Sequence, residues 1–296
     1  MPEIAEVETI CRQLNDVVRK QRLLRIEVLD PRLRDSGFHK SNRQSASFET
    51  LLLKDKPADA ACKGTKITAV ARQGKAILFH FNRGLTALLH LRMTGRLLYA
   101  PAGKKSGSND TCGENAVPSL LKYVRMIWHL SEGKLYLIDP RRFATLVIDR
   151  DGHFEAPAND PLAAMPAKRL EEMARGRRGP VKSLLMDQHR IAGIGNIYAC
   201  EILFAAGIDP RKPAGDLTRK EWQTVSVNAA RIIRKAVERR GTTMSDWRDL
   251  YGCPGKNQRY LEVYGRHGEP CRRCGGTIER IVQNGRGTWF CPSCQH

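Results

Sequence analysis

The sequence predicts an α+β chain of several domains: an N-terminal helix on an antiparallel β-sandwich, a helical domain, and a C-terminal hairpin built on four cysteines. Three observations carry this. Short apolar runs divided by turn residues fill Lys66 to about Arg150, the periodicity turns helical after about Gly152, and Cys271, Cys274, Cys291 and Cys294 read C-x2-C-x16-C-x2-C. The 296 residues give room for more than one core, and the expected boundaries are 1–152, 153–262 and 263–296.

Taken in order, Glu6 to Val18 places Ile10, Leu14, Val17 and Val18 on one face, so a first helix is expected against the sandwich. Ile67 to Val70, Ala76 to Phe81, Leu85 to Met93, Arg96 to Tyr99, Met126 to Leu130, Lys134 to Ile138 and Thr145 to Ile148 read as strands. Asn82-Arg83-Gly84, Ser131-Glu132-Gly133 and Asp151-Gly152 separate or end them with residues that tolerate positive φ, which predicts hairpins. Pro101 to Ser119 lacks periodicity and reads as a surface insertion; Arg34 to Ser47 reads as a second loose stretch. The turn Ile191-Ala192-Gly193-Ile194-Gly195 leads into a helix from Asn196 to Ala206 ended at Gly207. Thr218-Arg219-Lys220-Glu221 is a capping box for a helix with Trp222, Val225, Ala229, Ile232 and Ala236 at helical spacing and a stop at Gly241.

Composition narrows the function. Fifty Lys and Arg against thirty-one Asp and Glu leave a net charge of +19, a field that attracts polyanions and opposes self-association. Nucleic acid is the leading partner and a monomer the expected state. A membrane surface competes, but no long basic amphipathic helix with large apolar anchors is present, and no run of about 18 apolar residues could span a bilayer. The acidic start Met1-Pro2-Glu3-Ile4-Ala5-Glu6 lacks the order of a secretion signal, so a cytoplasmic location is expected. Cys11, Cys62, Cys112, Cys200 and Cys253 are scattered, which points away from a disulfide framework.

Four motifs carry chemistry. The C-terminal cysteines form two knuckles able to close a tetrahedral thiolate shell on one zinc ion with no open position, so that zinc is structural. Gly193-Ile194-Gly195-Asn196 opens a helix, where backbone N–H groups suit an anion such as phosphate, though tight packing explains the glycines equally. Asp139-Pro140-Arg141-Arg142-Phe143 puts guanidinium groups and a ring on a loop, as a protein that wedges open a base stack requires; Met93 could be a second wedge. Both also fit solvated arginines beside core side chains. Trimming of Met1 would leave Pro2 with a secondary α-amine of pKa about 8, a nucleophile able to form an iminium, with the carboxylates of Glu3 and Glu6 close by for proton transfer. Pro at a helix start followed by acids that favour the dipole fits the same letters.

Together these residues resemble the bacterial formamidopyrimidine-DNA glycosylase family, which shares its fold with the endonuclease VIII group. The resemblance spans nearly the whole chain. Its carriers are Met1-Pro2-Glu3-x-x-Glu6-Val7-Glu8-Thr9, Gln73-Gly74-Lys75, His90-Leu91-Arg92-Met93-Thr94-Gly95, Asp139 to Phe143, Gly193 to Tyr198, and Val263-Tyr264-Gly265-Arg266-x-Gly268-Glu269-Pro270-Cys271. The resemblance implies that the helical domain is a helix-two-turns-helix, that Pro2 attacks the sugar C1′ of a damaged purine nucleotide, that Glu3 transfers the proton, and that Glu6 supports it. By the same resemblance Lys75 matches the catalytic lysine of the β-hairpin, Met93, Arg141 and Phe143 match the trio filling the gap of an everted base, Lys182 and Asn196 match phosphate-binding positions of the helix-two-turns-helix, and Arg286 matches the DNA-contacting finger arginine. The implied reaction removes 8-oxoguanine or formamidopyrimidine from duplex DNA and nicks the strand by β,δ-elimination.

The chain departs from the family pattern at Ala5, where Pro is usual, at Cys200, where Asp or Ser is usual, and in the 101–119 insertion. Tyr251 to Leu261 matches the lesion-capping loop in position. Two rivals stay open: an endonuclease VIII-like enzyme for oxidised pyrimidines, against which the gap-filling trio argues, and a non-catalytic zinc-finger DNA-binding protein, for which Pro2 would be dispensable.

Overall fold

The computed structural model describes residues 1–30, 62–103, 120–150, 154, 159–163 and 165–296. The Arg34 to Ser47 stretch, the Asp151-Gly152 turn and the insertion from 104 to 119 lie outside the described residues. The chain forms two compact units: Met1–Pro2, Glu6–Glu155 and Thr242–Gly255 make the first, and Glu3–Ala5, Ala156–Gly241 and Lys256–His296 the second. Among the described residues no helix is long and apolar enough to cross a membrane.

The first unit is the expected sandwich. Helix α1 (Ile4–Val18) is followed by β1 (Leu23–Val28), β2 (Ile67–Gln73), β3 (Ala76–Phe81), β4 (Leu85–His90), β5 (Arg96–Pro101), β6 (Val124–Leu130), β7 (Gly133–Ile138) and β8 (Thr145–Arg150). They form two antiparallel sheets, ordered β1-β6-β7-β5 and β2-β3-β4-β8. Inward side chains of both sheets meet: Phe79 of β3 and Trp128 of β6 have ring centroids 4.7 Å apart. Val7, Ile10, Leu14 and Val18 of α1 join this core, as do Trp247 and Leu250 from the returning Thr242–Gly255 segment.

Strand β1 was not among the expected strands, and its packing explains why. A bulge lies between Leu23 and Arg25, so the buried Leu23 and Ile26 are three residues apart and the two-residue alternation is broken. Strand β4 also ends earlier than its apolar run, because the chain turns after His90 and leaves Met93 in a loop.

The second unit holds α2 (Ala167–Ala174), α3 (Val181–Leu185), α4 (Asn196–Ala206), α5 (Arg219–Glu238) and the hairpin β9 (Glu279–Gln283)–β10 (Arg286–Phe290). The capping box is present: the Glu221 amide donates to Thr218 Oγ1 at 3.2 Å and the Thr218 amide to Glu221 Oε2 at 2.8 Å. Gly207 closes α4 with φ +73°, the left-handed cap expected of it. On α5 the fully buried isoleucine is Ile233, with Ile232 only half-buried. Asn284 and Gly285, both at positive φ, make the two-residue hairpin turn before Arg286.

Candidate active site and nucleic-acid interface

Pro2 is buried in the first unit, and Met1 ahead of it is half exposed. In the second unit the next residue, Glu3, is 4% exposed and its carboxylate sits on the start of α4. It accepts from the amides of Gly195 (2.8 Å), Ile197 (2.9 Å) and Tyr198 (3.3 Å). The turn expected to face a phosphate therefore closes on a carboxylate of the chain itself, by the same physics: unpaired helix-start amides attract an anion. Only glycine at 195 leaves the clamp undisturbed, since a Cβ would lie 2.3 Å from the Glu3 carboxyl carbon. Gly193, at φ +97°, accepts from the Ile4 amide at 3.0 Å and ties the chain start to the same turn.

In the first unit Glu6 is 2% exposed and accepts the Thr242 amide at 2.7 Å. Lys75 lies at the tight turn between β2 and β3, where Gly74 takes φ +59°. Arg72, buried, braces that turn: its Nε donates to Glu8 Oε2 at 2.9 Å and its Nη1 to the Gly74 carbonyl at 3.2 Å. His90 pairs with Ala76 across the sheet, and its Nδ1 accepts the Arg92 amide at 3.0 Å. Burial above all, then the charges of Arg92 and Lys75, hold the His90 pKa down at about 4, so the ring is neutral at pH 7.

The three expected gap-filling side chains are all at the surface of the first unit: Met93 and Phe143 are about half exposed, and the Arg141 guanidinium lies 4.8 Å over the Phe143 ring. Their two loops are held by buried charges. Asp139, fully buried, accepts from the Thr94 hydroxyl and from the amides of Arg141 (3.2 Å) and Ala144 (2.7 Å), so one carboxylate ties the Met93 loop to the Arg141–Phe143 loop. Asp30 accepts from Arg125 (3.4 Å) and Arg142, and Arg125 Nε donates to the Asp139 carbonyl at 2.7 Å. Arg92 and Arg142 each adopt positive φ, a conformation costly for a bulky residue, and each sits beside a wedge side chain. Asp139 was visible in the sequence only as part of a motif; Asp30 and Arg125 carry no local signal.

Lys182, Asn196 and Arg286 lie in the second unit. Lys182 is buried; its Nζ donates to Thr288 Oγ1 (2.6 Å) and the Gly287 carbonyl (3.3 Å), and burial lowers its pKa. Asn196 Nδ2 donates to the same carbonyl at 2.9 Å. Both side chains thus brace the hairpin that presents Arg286, which is exposed.

The four knuckle sulfurs lie within 4.8 Å of one another, with Cys274–Cys291 at 3.5 Å and Cys271–Cys294 at 3.9 Å. Tetrahedral zinc with bonds of about 2.3 Å requires sulfurs about 3.8 Å apart, so the set fits the ion. All four tetrahedral positions are thiolates, which leaves the metal no place to bind water. Cys200, one of the departures, is a fully buried member of the small core behind the knuckles, and burial pushes its thiol up to about 11. Ala5 is buried in the helical core.

Family models match three segments: formamidopyrimidine-DNA glycosylase N-terminal domain at 1–146, formamidopyrimidine-DNA glycosylase H2TH domain at 158–247, and zinc finger found in FPG and IleRS at 268–296. The chain is 38% identical to the formamidopyrimidine-DNA glycosylase of Moorella thermoacetica over 95% of this chain and 94% of that one. With the Roseiflexus enzyme of that name the identity is 35% over all of both chains. Among solved structures, Lactococcus lactis Fpg bound to DNA containing N7-benzyl-Fapy-dG matches with a TM-score of 0.80 and 28% identity over both whole chains. The Thermus thermophilus FPG protein matches at 0.78 and 33%, covering 99% of this chain and 98% of that one. Matched in all three segments and along its whole length, the chain belongs to the formamidopyrimidine-DNA glycosylase family.

Proposed function

We propose that this protein is a base-excision repair enzyme that removes oxidised purines from duplex DNA and then nicks the strand, with Pro2 as nucleophile once Met1 is trimmed. The Pro2 nitrogen bonds to C1′ as the glycosidic bond breaks; the base leaves with that electron pair and a proton, and opening of the sugar ring yields an iminium. β- and δ-elimination from that iminium release the strand ends. Glu3 handles the proton, Glu6 supports it and Lys75 assists. Met93, Arg141 and Phe143 fill the gap left by the everted nucleotide, Arg141 facing the orphaned cytosine. Asn196 and Arg286 contact the DNA backbone, Lys182 braces the hairpin that presents Arg286, and the structural zinc keeps the finger folded.

The single observation carrying this reading is the Glu3 carboxylate clamped by the amides of Gly195, Ile197 and Tyr198 at the start of α4, which fixes the chain directly after Pro2. Residues 1–152 supply the chemistry and the wedge in this reading, 153–262 and 263–296 the phosphate contacts, and the high positive charge favours a monomer working on DNA in the cytoplasm. The test incubates protein verified to begin at Pro2 with an 8-oxoguanine:cytosine duplex and borohydride, which reduces the iminium to a stable crosslink. Absence of the adduct overturns the proposal. A parallel duplex with an oxidised pyrimidine is needed for lesion preference, since one Lactococcus lactis Fpg structure holds such DNA.

A further inference from the structure

Within the second unit, α4, α5, the segment 257–262 and the first zinc knuckle line a half-open cavity of about 400 Å3; it holds none of the residues assigned above to catalysis, gap filling or phosphate contact, and Asn257, Tyr260 and Leu261 in its wall are the end of the stretch matched to the lesion-capping loop. Five cations line it: Arg231 and Lys235 on α5, Arg239 at its C-terminal cap, and Arg272 and Arg273 on the knuckle. None of the five meets a carboxylate among the described residues, whereas Arg190, Arg211, Lys212, Arg219 and Arg266 of the same unit each do. Two carboxylates are in the lining. Glu201 is buried and spent on the amides of Glu262, Val263 and Tyr264, at 2.8 to 3.0 Å, which leaves Glu262 as the only one free to offset the rim.

We propose that this cavity is a docking site for an extended acidic peptide segment of a partner protein. Arg231, Lys235 and Arg239 are spaced four residues apart along α5 and its C-terminal cap, a rise of about 6 Å per helical step. Alternate side chains of an extended chain repeat every ~6.6 Å, so acids at every second position match the cations in register. The cations are also preset: Arg239 stacks 3.6 Å over Tyr260 and bonds Asn257, Arg273 stacks 4.3 Å over Phe204, and Arg272 donates to the Leu261 carbonyl at 3.1 Å. Half-buried Ile232 and buried Leu261 supply an apolar wall for the intervening residues. Single-stranded nucleic acid would need aromatic faces to stack its bases, and both rings of the lining already carry a guanidinium.

The experiment measures fluorescence anisotropy of a labelled Asp-Leu-Asp-Leu-Asp peptide with zinc-loaded whole protein, alongside Asn-Leu-Asn-Leu-Asn. The variant Arg231→Glu/Lys235→Glu is compared with Lys168→Glu/Arg169→Glu, which changes the net charge equally on exposed positions of α2 outside the cavity. Expected is peptide binding that the amide peptide lacks, weakened at least tenfold by the cavity variant and less than twofold by the control, with lesion-duplex cleavage alike in the two. Circular dichroism and zinc content verify folding, and Lys235→Gln gives a milder variant with the same ordering. Equal peptide binding by the two double variants overturns the proposal, and so does a loss of duplex binding confined to the cavity variant, which would make the cavity part of the DNA path. These outcomes are independent of the borohydride test of Pro2.

Discussion

Replacing Asp139 with Asn tests whether one buried carboxylate sets both wedge loops. Its Oδ1 receives the Thr94 hydroxyl and the Arg141 amide, and its Oδ2 the Ala144 amide. An Asn side chain offers a single acceptor oxygen. With that oxygen kept on Ala144, the NH2 group faces the Arg141 N–H, and the Thr94 hydroxyl must reverse and accept. One hydrogen bond is lost outright and the other two lose their ionic character, which sums to about 3 kcal/mol at about 1 kcal/mol for each change. Thr94→Val removes one of the three bonds and should cost about half as much. If the loss falls on the preset loop geometry, kcat/KM on an 8-oxoguanine duplex drops by ten- to about a hundredfold, since about 1.4 kcal/mol is a factor of ten. The assays are single-turnover excision and thermal melting of zinc-loaded protein. Excision within about twofold of the parent, together with an unmoved melting temperature, refutes the reasoning.

Three further outcomes are expected. His90 has a folded pKa of about 4 against an ordinary 6.5, so the unfolded chain binds the extra proton first; stability is complete above pH 6.5 and is lost as pH falls toward 4, by up to about 3 kcal/mol. Denaturant titrations against His90→Asn, whose amide oxygen retains the bond from Arg92, should show a shallower acid slope in the variant, and parallel slopes would contradict the assignment. Gly195→Ala forces the Glu3 carboxyl away from α4, and a displacement of that order should cost about a hundredfold in base removal while zinc content holds; unchanged single-turnover rates count against the clamp. Chelation of zinc should unfold the 263–296 hairpin and abolish tight duplex binding, leaving the near-ultraviolet signal of the Phe79–Trp128 sandwich core in place; full binding by metal-free protein contradicts the role.

Features that rest on short-range periodicity or spacing are legible in the letters alone. Seven strands, α1, α4, α5 with its capping box, the zinc ligands and the basic character could all be read locally, because alternation, helical period and knuckle spacing are imposed by backbone geometry within a few residues. Other features depend on contacts that exist only in the folded chain. Strand β1 is hidden by its bulge, and α3 is too short to build up a period. Glu3 meets α4 across some 190 residues, Asp30 meets Arg142 across more than 100, and Lys182 turns inward to brace Gly287 rather than outward to solvent. Burying a charge requires a partner brought by the fold, and the identity of that partner is not encoded in neighbouring letters, so the carboxylates that orient this site became visible only once the chain was closed.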